Sequence, residues 1–267
     1  MLVDYHMHTK MCGHAEGEME EYVLKAKREG IVEIGVADHI PMYFLPAAER
    51  DPSIAMAEEE LPIYVKAVKK LQKQFYPYNI KLGIEADFDP GCQAELKRII
   101  NAFPFDYVLG SIHFLGRWGF DNPRFIDEYQ KRDIDEVYAE YFNLLEKAAA
   151  SGHFDILAHP DLVKKLNFRP RKDITYIYER LAKCFADADI CIEINTAGLR
   201  APVGEIYPSA VFLRECFKRR VPVTLGSDAH TPEQVGAGFP EAKQLLLEIG
   251  YDKIAVFSQR KRRLLPL

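Results

Sequence analysis

Histidine, aspartate and glutamate recur in this chain where short apolar runs end. His6-x-His8 closes the first run, and His14 follows in the loop behind it. His39 closes the second run in Ala37-Asp38-His39, and Glu85 the third in Gly83-Ile84-Glu85-Ala86-Asp87. His113 ends the fourth, His159 the fifth, and Glu193 the sixth, with Asn195 just after it. His230 follows the seventh in Gly226-Ser227-Asp228-Ala229-His230; only His153 of the 8 histidines lies elsewhere, ahead of the fifth run. Neutral imidazole is the commonest metal ligand. Carboxylates such as Glu85 and Asp228 add oxygen ligands able to bridge two cations. The alternation His6-x-His8 turns both rings to one face of a strand, where they can share an ion. Taken singly, each residue has an ordinary use: a hydrogen-bonded strand end, or a helix N-cap for Asp38 or Asp228. Core packing does not explain the whole set, and the pattern predicts a metal centre.

The elements that must position these residues alternate. The apolar runs are 1–6, 32–38, 80–88, 105–114, 154–159, 190–195 and 221–228, with a late candidate at 253–257. Several are rich in Val and Ile, as strands buried on both faces are. Between them, amphipathic segments at 18–29, 58–75, 93–101, 133–149, 173–187, 208–219 and 233–249 read as helices; Gly30, Gly152 and Gly250 follow three of them as stop signals. Repeated β–α alternation argues a parallel α/β fold. Seven or eight units favour a (β/α) barrel, in which strand C-termini converge on one mouth. No repeat or linker divides the chain, so a single domain over 1–267 is expected. The long segment 40–57 follows the second run and serves either as a lid or as a packed surface loop.

The bulk numbers narrow the partners. Charged residues are 28% and the formal net charge is −5, which leaves no basic footprint for nucleic acid. The basic run Arg260-Lys261-Arg262-Arg263 is read as a solvated helix end. Five cysteines without CxxC spacing suit reduced core residues of a cytoplasmic protein. Cys12, between His8 and His14, is read as a bystander, with thiolate ligation as the alternative. No apolar run reaches the ~20 residues of a membrane helix, and no signal pattern is present. Oligomeric state is not legible.

In order along the chain, His6-x-His8, His14, Asp38-His39, Glu85, His113, His159 and Asp228-x-His230 resemble the motifs of the polymerase-and-histidinol-phosphatase superfamily of metal-dependent phosphoesterases. Gly110-Ser111-Ile112-His113-Phe114, Trp118-Gly119-Phe120-Asp121 and Asn195-Thr196-Ala197-Gly198-Leu199-Arg200 are similar to its histidinol-phosphatase branch. The resemblance covers nearly the whole chain. It implies a distorted (β/α)7 TIM-like barrel with up to three divalent ions (zinc, iron or manganese, possibly mixed) at the C-terminal strand ends. It places His6, His8, Glu85 and Asp228 on the first ion. Glu85 bridges to a second, with His113 and His159, while His14, His39 and His230 take a third.

The implied reaction hydrolyses a small phosphate monoester, L-histidinol phosphate, by attack of a metal-bridging hydroxide on phosphorus. Arg200 is the candidate phosphate clamp, because its planar fork matches phosphate, and Arg117 is a second candidate. Asp161 is the candidate acid for the leaving alkoxide. Other readings are a phosphoesterase of the same superfamily for phosphotyrosine, nucleotides or DNA ends, an amidohydrolase, or a non-catalytic metal-binding module. Glu85 at the bridging position, together with His14 and His39, favours phosphate chemistry over an amidohydrolase.

Overall fold

The computed structural model describes all residues from Met1 to Leu267. Strands β1 (Val3–Asp4), β2 (Glu33–Val36) and β3 (Asn79–Leu82) form one parallel sheet in that order. There follow β4 (Glu85–Asp87), β5 (Leu109–Ser111), a small hairpin of β6 (Phe114–Leu115) and β7 (Trp118–Gly119), then β8 (Ile156–Leu157), β9 (Cys191–Asn195) and β10 (Val223–Gly226). The second sheet is parallel in the order β10-β9-β8-β5-β4. Strands β2, β9 and β10 are buried at every residue, as parallel strands covered on both faces should be.

Seven helices lie between the strands, close to their expected places: α1 (Met19–Arg28), α2 (Leu61–Gln74), α3 (Gln93–Ile100), α4 (Ile134–Ala150), α5 (Thr175–Asp187), α6 (Ala210–Lys218) and α7 (Phe239–Ile249). Local chemistry sets their ends. The Glu18 amide donates to Glu21 at 2.6 Å in a capping box that opens α1, and Lys25, Lys27 and Arg28 fill its last turn. Asp133 caps α4 by accepting from the Asp135 amide at 2.8 Å.

The structure departs from the sequence reading at four places. The third run is two strands, because the chain changes partner at Gly83-Ile84: β3 pairs with β2, and β4 with β5. The sheets abut without forming one closed ladder. β1 reaches the β10 segment through the Met7–Ala229 bridge and through the Tyr5 amide on the Leu225 carbonyl at 3.0 Å. The second run meets β4 only at the His39–Glu85 bridge. The late run is no eighth parallel strand. It forms β11 (Lys253–Ser258), antiparallel to β12 (Lys261–Pro266), so the basic run belongs to a β-ribbon and not to a helix end. Finally, α7 begins six residues late. Pro232–Gln234 makes a separate 3₁₀ turn, and Gly238 at φ 78 interrupts the helical path.

One buried cluster runs from Val3 to Phe257. At its centre the Tyr107 ring stacks on Tyr5 at 4.8 Å, with Phe257 of β11 at 6.1 Å from Tyr5. Tyr107 donates to the Tyr5 carbonyl at 2.6 Å. Gly35 and Gly83 make room for it, since a Cβ on either would stand 2.0 or 2.2 Å from the ring or its oxygen. Gly35→Ala is therefore expected to lower unfolding stability by about 1–3 kcal/mol, the usual range for overpacking. A denaturation midpoint unchanged from the parent would contradict this.

Candidate metal centre

All nine residues expected as ligands converge. Glu85, at the start of β4, is the hub. Its carboxylate stands 3.1 Å from His6 Nε2, 3.5 Å from His8 Nε2, 3.1 Å from His39 Nδ1, 3.6 Å from His113 Nε2 and 3.1 Å from His159 Nε2. Asp228, just beyond β10, lies 3.2 Å from His8 Nε2 and 3.8 Å from His6 Nε2. His14 Nε2 and His230 Nε2 face each other at 3.0 Å. Two of these residues hold left-handed backbone, His159 at φ 29 and Asp228 at φ 52. Such strain at non-glycine residues gathers at functional sites.

A layer of oxygen acceptors fixes the rings. His6 Nδ1 donates to Glu193 Oε1 at 2.8 Å, and His113 Nδ1 to Asp87 at 3.1 Å. His230 Nδ1 donates to the Asp228 carbonyl at 3.1 Å, and His14 Nδ1 to the carbonyls of Cys12 at 3.0 Å and Ser53 at 3.2 Å. These partners accept only, so Nδ1 carries a proton and each Nε2 faces the centre, as a lone pair wherever the ring is neutral. His8 is 1% exposed, yet neither ring nitrogen has a hydrogen-bond partner. Buried ring nitrogens aimed at one another, with carboxylates among them, are satisfied by shared protons or by a cation between them. The residues therefore fit divalent ions, and several three-residue subsets have ligand atoms within 4.8 Å of one another.

Glu193 reads from the sequence only as a strand end, and its part in the centre is larger. Its other oxygen accepts from the His159 amide at 2.9 Å and from Asn195 Nδ2 at 3.0 Å, and Asn195 also reaches Asp228 Oδ2 at 3.3 Å. One buried carboxylate thus ties the ends of β1, β8 and β10. Gly226 admits it, because a Cβ there would meet Glu193 Oε1 at 1.8 Å. Asp38 accepts from the Thr9 amide at 2.6 Å and from the Thr9 hydroxyl, holding the loop after His8.

The charges are coupled. Burial opposes ionisation of Glu85 and Asp228, but the imidazoles around them win and hold both carboxyls well below their usual range. Burial likewise opposes charge on His6 and His113. Glu193, Asp228 and Glu85 nevertheless hold His6 well above its ordinary value, and Asp87 and Glu85 push His113 up to about 10. His230, desolvated and beside His8, is pushed down to about 3.

The centre opens on a cavity of about 470 Å³. His14, His39, Glu85, His113, His159, Asp228 and His230 reach it. Three other expected residues do not. Arg200 donates to the carbonyls of Ser227 at 2.7 Å and Asp228 at 3.3 Å, bracing the strained turn at Asp228 from behind. Arg117 is exposed on the hairpin turn and pairs with Glu49 at 2.9 Å. Asp161 is drawn into a buried pair with Lys164 at 2.9 Å and accepts from the Ser209 amide at 2.8 Å. The cations that do line the cavity are Lys165, paired with Asp121 at 2.7 Å, and Arg124. Neither stood out in the sequence, because both follow the strand ends by several residues.

The sequence pattern of the PHP domain family matches residues 4–197. The chain belongs to the PHP domain family. Among PHP relatives it is 39% identical to the "Probable histidinol-phosphatase" of Deinococcus radiodurans, over 97% of this chain and 98% of the relative. It is 26% identical to the histidinol-phosphatase of Lactococcus lactis, over 97% and 95% respectively. A crystal structure of histidinol phosphate phosphatase from Lactococcus lactis, complexed with zinc, L-histidinol and phosphate, superposes with a TM-score of 0.84. That structure is 23% identical, covering 98% of either chain, and shares the fold of this PHP protein.

Two measurements test the centre. The carboxylates around His6 and His113 favour the charged form of both rings, and an incoming ion must displace the extra protons. Metal uptake is therefore expected to release protons, and apparent affinity to fall as pH falls; pH-independent binding by chelator competition would contradict this. Glu193→Gln places an amide against His6 Nδ1 and is expected to weaken metal affinity roughly 10–100-fold with the fold intact. Unchanged affinity would leave Glu193 a packing residue only.

Proposed function

We propose that this chain is a metal-dependent phosphomonoesterase that hydrolyses L-histidinol phosphate to L-histidinol and phosphate, acting in histidine synthesis. The observation that carries this is Glu85, one buried carboxylate faced by five imidazoles between 3.1 and 3.6 Å. The histidinol-phosphatase relatives over nearly the whole chain give the substrate. Bound divalent ions would supply Lewis acidity to the phosphoryl oxygens and an acidified water. Zinc is favoured by the imidazole-rich ligand set, and three ions is the proposed number. His6, His8, Glu85 and Asp228 would hold one ion, Glu85 with His113 and His159 a second, and His14, His39 and His230 a third.

The rest of the work falls to the chain's own side chains. The cavity of about 470 Å³ suits a small ester. Lys165 and Arg124 take the phosphate-binding role expected of Arg117, and they do so from the cavity wall. Arg200 acts through Asp228, by fixing the carbonyls of the turn that carries it. Asp121, on the cavity wall beside Lys165, is better placed than Asp161 to handle the proton of the leaving alkoxide. Phe44, Phe114 and Phe125 line the same cavity and offer faces to an imidazole or an ammonium group. The two sheets are read as one open, distorted (β/α)7 barrel, a single cytoplasmic domain over 1–267 whose C-terminal rim is the active site.

Phosphate release from L-histidinol phosphate, p-nitrophenyl phosphate and phosphotyrosine, before and after chelation and metal restoration, tests the proposal. The expected result is metal-dependent turnover with strong preference for L-histidinol phosphate, abolished in His8→Ala while circular dichroism stays unchanged. Metal-dependent turnover of the other esters alone would keep the centre and discard the substrate.

A further inference from the structure

Cys12 is buried against the metal centre, and the acceptor layer that fixes the rings does not use its thiol. It ends a tight 3₁₀ turn, Lys10–Cys12, whose geometry is set from both sides. Thr9 opens the turn by accepting from the Met11 amide at 3.2 Å. Gly13 closes it at φ 83, with its amide on the Lys10 carbonyl at 3.1 Å. No side chain fits at Gly13, because a Cβ would stand 2.3 Å from the Pro52 carbonyl. The turn therefore directs Cys12 inward, and its residue exposure is 0%.

There its sulfur is 4.0 Å from His14 Nε2. Cys12, His14 and His230 have ligand atoms all within 4.8 Å of one another, and so do His8, Cys12 and Asp38. The two ring nitrogens at 3.0 Å, His14 Nε2 and His230 Nε2, face the same space with their Nδ1 protons committed to carbonyls, and an ion there would replace the one proton they share. On the other side of the sulfur, His8 has unpartnered ring nitrogens. A soft donor beside two converging imidazole nitrogens is a Cys-His-His set. Tetrahedral zinc, with its bonds of about 2.0–2.3 Å, spaces such donors at roughly 3.5 Å, and small side-chain rotations cover the difference.

We propose that Cys12 is a thiolate ligand of the ion held by His14 and His230. On binding, the thiol S–H bond breaks, the proton passes to solvent, and a sulfur lone pair takes the ion. This rests on the reading of the cluster as a metal centre. It adds a consequence of its own: one position of the centre prefers thiophilic ions such as zinc, cobalt or cadmium over manganese or magnesium.

Cobalt(II) titrated into the chelator-stripped full chain tests the assignment without substrate. Visible ligand-field bands report cobalt on any ligands, whereas a near-ultraviolet sulfur-to-cobalt charge-transfer band requires a thiolate. The wild type is expected to show both. Cys12→Ser and Cys12→Ala are expected to keep the visible bands, lose the charge-transfer band, and bind their weakest cobalt at least roughly tenfold less tightly. Visible bands without charge transfer in the wild type would overturn the proposal and leave the metal centre standing; that spectrum decides even where a variant does not fold. A charge-transfer band that persists in both variants would also overturn it, by assigning the thiolate to another cysteine. No cobalt bands at all would remove the metal centre and this ligand together.

Discussion

The Glu85 carboxylate is the constraint around which the rest is arranged. It is buried, ionised, and met by rings from both sheets and from the loops beyond them. An unpaired carboxylate in that position would carry a desolvation penalty of several kcal/mol. The fold offsets this with imidazoles, and the imidazoles in turn need their outer nitrogens satisfied. Glu193 and Asp87 meet that need for His6 and His113, and the carbonyls of Cys12, Ser53 and Asp228 do the same for His14 and His230 further out. Each step away from Glu85 thus fixes the next residue's type and orientation. Even a glycine, Gly226, is set by the room that Glu193 requires.

The convergence of these side chains was legible in the sequence because a parallel α/β fold delivers the ends of its strands to one place. His6, His8, Glu85 and Asp228 could be read from run boundaries alone, before any pairing was known. The supporting residues were harder. Glu193 and Asn195 also end a strand, but nothing in their spacing separates a residue that orients a ligand from one that binds the ion. Arg200, Arg117 and Asp161 stand out in the sequence only by chemical type near a strand end. Side-chain direction decides such cases, and it is set by tertiary partners: Ser227 and Asp228 carbonyls, Glu49, and Lys164.

The fold itself was legible as alternation and less so as closure. The runs that read as strands are seven or more residues long in places, yet the paired segments are only two to five residues in the two parallel sheets. In the first, second, fourth, fifth and seventh runs the chain leaves the ladder before it reaches His6, His39, His113, His159 and Asp228. Hydrophobicity is the same in both parts, so pattern alone does not mark the boundary. The second strand of the ribbon, Lys261–Pro266, escaped for a related reason: a basic segment next to a turn has no apolar run to display.

The two weak joins between the sheets have a mechanical consequence. One lies at Met7–Ala229 and the other at His39–Glu85, each beside or among the candidate ligands. An ion shared by His6, His8 and Asp228 would clamp the first residues of the chain to a segment some 220 positions later. In a small secreted protein a disulfide performs that task, by shortening the loops open to the unfolded chain. Here the five cysteines are free, and the ions would serve as removable rivets across joins that the backbone makes with isolated bridges.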